Sequence, residues 1–414
     1  MRDRADKSTA PRRGPSVGDI ASYGLLVGAV VLGWQIVIQP LIQRAPVEIA
    51  IRLAPGSPLA LRRAAESELA AGRIDNAAAL SRDALIRSPF DVRALRVLGL
   101  TEARARREDA ADDILTLAGN WSLRDDPAHA WLVERRLRRG DYASSFAHAD
   151  TLVRRREDIQ PQVFRLFTVA GAADPQRSLP VVARLLAVRP PWRMAYLATL
   201  NETPQGLQVA ASLAVLLQAG SAPFTNEELE QFYIALMKAG GSDSMQKVRE
   251  RLNRPSLDNA VTNGGFDEPD HPGPFQWRLY EKAGIVAEIT GDDLNPSNAA
   301  LRVDYDGYAA GTIAEQLTYL APGAYGFTAA VRGETVNPIA RLVWTLSCAT
   351  GEGEKVTIPM MPTRAATNTW TNLSGRFEVP AACPAQWLRL ETRAEDTRAP
   401  SAIWFDRIAI SRTR

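Results

Sequence analysis

The chain has 414 residues, more than one hydrophobic core usually organises, so two or three domains are expected. Hydrophobic residues make up 46% and charged residues 23%, which excludes a collagen-like or wholly disordered chain. With 49 basic against 47 acidic residues the net charge is +2, too small for a strong overall nucleic-acid field, and 3 histidines and 2 cysteines leave little for a transition-metal centre.

Residues 1–18 are polar and basic (Arg2, Arg4, Lys7, Arg12, Arg13) with Pro11, Gly14 and Pro15 among them, and read as a cytoplasmic tail. From Ile20 to Ile42 the chain carries no formal charge. A run of about 20 apolar residues matches a hydrocarbon core, so 19–42 is expected to be a transmembrane signal anchor. A cleavable signal peptide is the competing reading, but Gln43-Arg44-Ala45 followed by Pro46 makes a poor cleavage site. The basic tail stays inside. Everything after a linker over 43–56 is then expected in the periplasm, with the protein a single-pass component of a bacterial inner membrane.

Residues 57–255 read as helices almost throughout, rich in Ala, Leu and Arg. A turn falls at Gly72 (AAGRIDNAA) and again at Gly140 (RRGDYASSF), two steps of about 34 residues apart. Arg106, in RARREDAADD, occupies the intermediate position. Leu61, Ala64-Ala65, Ala77, Ala84 and Pro89 mark one unit, and Leu95, Leu98-Gly99, Ala111 and Ala118 repeat it. This pattern resembles tetratricopeptide repeats, which implies an all-α solenoid with a groove for protein partners; a plain spacer is the alternative. The arginines at 135, 136, 138 and 139 suggest an anionic partner, against which stands the ordinary solvated helix face.

Beyond Leu257-Asp258-Asn259 the chain turns to short alternating strands, LRVDYDGY, LVWTLSC, TWTNLSGRFEVP, QWLRLET and IWFDRIAIS among them. An antiparallel all-β sandwich over 259–414 is predicted. Cys348 and Cys383 are expected to pair as a structural disulfide of an exported domain, with two unrelated buried thiols the alternative. The segment opens with Asn263-Gly264-Gly265-Phe266-Asp267, carries Tyr319-Leu320-Ala321-Pro322-Gly323-Ala324-Tyr325 in its middle, continues through Trp370 and Phe377-Glu378-Val379-Pro380, and closes on Trp404-Phe405-Asp406. In this order the elements resemble the jelly-roll of carbohydrate-binding modules, which implies glycan contact through exposed flat aromatics. Trp277, Tyr305, Tyr308, Trp370 and Trp387 are the candidates. Trp387 shares the parity of Arg389 and Glu391, opposite Leu388 and Leu390, and should point away from the core. Trp344 shares a face with Leu342 and Leu346 and should be core. The resemblance also implies a structural calcium ion (Ca2+) joining the first and last strands, for which Asp267 and Asp406 are the carboxylates; an ordinary pair of turn and edge acids is the alternative. No other cofactor is implied.

Phosphate-binding, nucleophile-elbow and zinc-protease motifs are absent from the sequence. His271 sits in a proline–glycine loop, and sequence does not set any two acids of the β-segment across a cleft. The expectation is a protein without catalytic activity that contacts polysaccharide through its sandwich and protein through its solenoid. It would serve exopolysaccharide or envelope-polysaccharide assembly and export. A scaffold whose sandwich binds protein is the alternative, and nucleic acid is not expected as a partner.

Overall fold

A computed structural model describes residues 17–254, 260–268, 273–293, 295–333, 342–349, 355–359, 361–362, 368–393 and 400–413. The basic tail through residue 16 and His271 lie outside the described residues. The chain forms two compact units, Met1–Leu152 and Val153–Arg414, so the division falls inside the helical stretch 57–255.

The first unit is helical. α1 (Val17–Arg44) and α2 (Val47–Leu53) precede α3 (Pro58–Ala70), α4 (Ile74–Arg87), α5 (Val92–Arg104), α6 (Glu108–Trp121), α7 (Asp126–Arg138) and α8 (Tyr142–Val153). From α3 onward the helices form consecutive hairpins, and the turns carry the repeat. Gly72, Arg106 and Gly140 take φ of 77°, 60° and 69°. Glycine enters this left-handed region without strain and arginine does not, so the middle turn keeps the conformation while losing its sequence mark. Ala65, Ala77, Ala84, Ala94, Ala111 and Ala118 are fully buried. A Cβ placed on Gly99 would stand 2.6 Å from Leu115 Cγ, so α5 and α6 touch where only glycine fits. Asp91 and Asp125 cap α5 and α7 by accepting backbone N–H bonds.

The arginine run on α7 faces the acids of α6. Arg135 pairs with Glu108, Arg136 reaches Asp112 at 2.8 Å, and Arg139 bridges Asp109 at 2.6 Å and Asp112 at 2.8 Å. Its charge is spent inside the unit, which removes the reason to assign it an anionic partner.

The expected transmembrane span over 19–42 needs correction. Val17–Arg44 is one helix of 28 residues, yet among the described residues no helix is long and apolar enough to cross a membrane. Ser22, Gly24, Gly28, Gly33 and Pro40 dilute the run with residues that add little transfer free energy. Leu25, Leu26, Val30, Leu32 and Trp34 are nonetheless exposed.

The second unit begins with α9 (Gln160–Ala173), α10 (Pro175–Ala187), α11 (Arg193–Leu200), α12 (Pro204–Gln218) and α13 (Asn226–Arg251). Thr225 and Glu228 form a capping box at the start of α13. Glu228 also takes Arg193 at 2.7 Å in a buried ion pair, and α13 is broken at Gly240 and Gly241, the latter at φ 68°.

A two-sheet antiparallel sandwich follows: β1 (Arg278–Leu279), β2 (Ile285–Asp292), β3 (Asn295–Tyr305), β4 (Thr312–Thr318), β5 (Gly323–Gly333), β6 (Leu342–Cys348), β7 (Val356–Thr357), β8 (Met361–Pro362), β9 (Thr371–Val379), β10 (Gln386–Thr392) and β11 (Ser401–Arg412). One sheet runs β1-β4-β10-β6-β7 and the other β2-β3-β11-β5-β9-β8. Leu301, Val303, Phe327, Trp344, Leu388, Leu390, Ile403 and Phe405 fill the space between them. Cys348 and Cys383 are joined by a disulfide with Cα atoms 5.3 Å apart, tying the end of β6 to the approach to β10.

Candidate functional site

The outer face of the β1-β4-β10-β6-β7 sheet collects polar groups around one tryptophan. In β10, Leu388 and Leu390 are fully buried, so Trp387, Arg389 and Glu391 turn outward by strand alternation. Register sets Trp387 beside Leu317 and Ser347, and Arg389 beside Glu315 and Thr345. Arg278 of β1 pairs across from Glu315. The Trp387 indole is half-buried, with the guanidiniums of Arg278 and Arg389 at 5.6 and 5.7 Å from its ring centre.

Glu315 is the hub of this face. It accepts from Arg278 Nη1 at 2.9 Å, from Arg389 Nε at 2.8 Å and from the Tyr280 hydroxyl. Arg278 places its other terminal nitrogen on Glu230, which α13 supplies. Burial pushes the Glu230 carboxyl above the usual carboxylate range, against the opposing pull of Arg278. Burial and donation to Glu315 likewise raise the Tyr280 hydroxyl. Thr345 donates to Glu391 at 3.1 Å, and Arg389 Nη1 to Ser347 at 3.0 Å. Beside this network lies a cavity of about 400 Å³ lined by Asn226, Glu230, Phe275, Arg278, Glu315 and Trp387, among others.

Glu230 and Glu315 put two carboxylates in one cleft, an arrangement that sequence did not reveal. They are bridged by one guanidinium, each on a different nitrogen of Arg278. The cation thus occupies the place a scissile glycosidic bond would need between its acid and its base or nucleophile.

The other aromatic candidates divide. Trp277 is buried, packs on Phe266 and Trp344, donates Nε1–H to the Asn263 carbonyl at 3.0 Å, and lines the same cavity as Trp387. Tyr305 is also core, with its hydroxyl 3.3 Å from the Arg393 carbonyl. Tyr305 ends β3 at an inward-facing position, whereas Trp277 precedes β1. Tyr308 is exposed, in the Asp306-Gly307 turn. Trp370 is half-buried on the other sheet, where it donates to Asp292 at 2.9 Å and faces the buried Arg332. Of the five aromatic candidates, Trp387 is the one borne on an outward strand position of this polar face, and Trp277 lines the same cavity.

Asp267 and Asp406 approach each other around Gly265, but their oxygens meet N–H groups. Asp406 accepts from the Arg407 backbone at 2.5 Å and from Asn298 at 3.3 Å, while Asp267 accepts from the Ala299 backbone at 3.0 Å. Arg407 adds its guanidinium 3.5 Å from Asp406. A calcium ion takes six to eight oxygen ligands, and of these four carboxylate oxygens Asp267 Oδ1 and both of Asp406 already accept N–H bonds. Among the described residues no cluster of three or more His, Cys, Asp or Glu is disposed to hold a metal. The opening motif is instead a clasp. A Cβ on Gly264 would lie 2.0 Å from the Ile408 carbonyl, and the Ile408 N–H donates to Gly264 at 2.8 Å.

Three solved structures are similar to part of the chain. The carbohydrate-binding and catalytic modules of a Clostridium thermocellum endo-1,4-beta-D-xylanase complexed with xylohexaose match at 18% identity over 38% of this chain and 29% of that one, TM-score 0.27. A xylan-binding domain from Paenibacillus barcinonensis matches at 16% identity over 36% of this chain and 90% of its own, TM-score 0.26. A family 4 carbohydrate-binding module matches at 15% identity over 37% and 99%, TM-score 0.26. The chain spans under a third of the xylanase structure's length. Similarity at this level leaves the choice of ligand to the site itself. No protein family matches the chain by its sequence model, and no curated protein matches it.

Proposed function

We propose that the protein is a non-catalytic accessory factor that contacts polysaccharide through the outer face of the β1-β4-β10-β6-β7 sheet, in exopolysaccharide or envelope-polysaccharide assembly and export. The observation that carries this reading is Trp387, half-buried on an outward strand face at the mouth of a cavity of about 400 Å³. An indole offers a flat apolar surface to the C–H face of a sugar ring, and the arginines, Glu315 and Asn226 around it offer hydrogen bonds to hydroxyls. A concave site that sets aromatic surface among a few fixed polar groups is suited to a small ligand. The tetratricopeptide-like hairpins would hold a protein partner. The exposed leucines and valines of α1 would associate with a membrane, and the disulfide favours a location outside the cytoplasm.

Co-sedimentation of the purified protein with insoluble polysaccharides, followed by an assay for released reducing sugar, tests both parts. Retention in the pellet without new reducing ends is expected. Reducing ends above a Glu315→Gln control would replace the reading with a hydrolase. A second reading, a scaffold whose sandwich binds protein, draws on the two guanidiniums already against the Trp387 ring. It predicts no retention on any polysaccharide.

A further inference from the structure

We infer that α13 is a wall of the glycan site and that the site reads the ends of glycan chains rather than their interior; this rests on the proposed glycan reading. The groove of an open sheet face admits a chain that enters and leaves. Here α13, of the same compact unit, closes one side of that face. Glu230 sits on Arg278, Tyr233 packs on Phe275 with ring centres 5.7 Å apart, and the Arg249 guanidinium lies 5.4 Å from the Phe275 ring. Phe275 in turn meets Tyr319 at 6.0 Å. α13 is held at two places, around Glu230 and Tyr233 before its break and at Arg249 beyond it, so it is fixed rather than loosely tethered.

The consequence is a pocket with mixed parentage. Asn226 and Glu230 come from the helix, Arg278, Glu315, Leu317 and Trp387 from the sheet. Its volume, about 400 Å³, lies at the small end for small-molecule sites and suits one or two sugar units. Its charges cancel internally, with Arg278 and Arg389 set against Glu230 and Glu315. An anionic sugar would have to displace carboxylates from their arginines, so the class of ligand is an uncharged terminal sugar.

The test uses the full chain and the extracellular polysaccharide of the organism that carries the gene, intact and after partial acid hydrolysis, at equal sugar mass. Cleavage multiplies chain ends without adding sugar. When chain ends rise about tenfold, the half-saturating mass should fall by a similar factor, and Asn226→Trp, which fills the pocket, should lose most of the binding. Asn226 is exposed and the capping box belongs to Thr225 and Glu228, so an unchanged unfolding midpoint will show the variant folded. Equal half-saturating mass for intact and cleaved polysaccharide, with Asn226→Trp binding as the parent does, would overturn the chain-end inference and leave the glycan reading standing. Absence of binding to either preparation by the parent protein would overturn both.

Discussion

Acid should loosen the first unit through one histidine. His148 lies on α8 with Nδ1 2.9 Å from Nδ1 of His129, and His129 Nε2 reaches the Ser122 carbonyl at 3.2 Å. Since a carbonyl only accepts, the neutral pair places the His129 proton on Nε2 and has His148 donate through Nδ1. Burial first, then the neighbouring His129 and Arg136, depress the His148 pKa from 6.5 to about 4. The folded value lies below the unfolded one, so between them the unfolded chain binds more protons. The stabilisation is complete above about pH 6.5 and is lost as pH falls through about 4. Such a shift would correspond to about 3 kcal/mol, and solvent access to the half-buried ring reduces this to about 2 kcal/mol. Hydrogen exchange over 126–153, corrected for intrinsic rates, should therefore accelerate by about 30-fold between pH 7 and pH 4. His148→Gln should flatten that dependence whatever its stability at pH 7. Equal acid sensitivity in parent and variant would refute the reasoning.

Gly99→Ala should destabilise the first unit by about 1–3 kcal/mol in urea unfolding, because the new methyl meets Leu115 inside contact distance. Cys348→Ser should lower sandwich stability by about 3–4 kcal/mol in denaturant, and protein extracted under a thiol trap should show no free thiol in the parent. Gly264→Val should prevent the sandwich from closing, read as loss of near-ultraviolet circular dichroism, because the Ile408 carbonyl occupies the side-chain position.

The elements most legible in sequence were those whose physics is local. Strand alternation placed Trp387 outward with Arg389 and Trp344 inward with Leu346, and both stand so. The hairpin turns at Gly72 and Gly140 were visible because φ there favours glycine, whereas Arg106 adopts the same backbone without announcing it. Tyr305 ends β3 on an inward position that the neighbouring turn does not reveal, and Trp277 precedes β1, where strand alternation gives no direction. Asp267 and Asp406 were brought together as the resemblance implied, but their hydrogen-bond donors come from Asn298, Ala299 and Arg407, and sequence alone does not orient carboxylate oxygens. Glu230 was out of reach altogether. It lies on a helix 48 positions from Arg278, and only the folded unit sets it on the sheet face.

Affinity electrophoresis of the full chain through gels containing that extracellular polysaccharide asks whether Trp387 reads glycan. The parent protein should be retarded and Trp387→Ala should migrate freely, a loss of about 2 kcal/mol or more for removing a central aromatic. Equal migration of the two, both shown folded by circular dichroism, would rule out glycan recognition by Trp387.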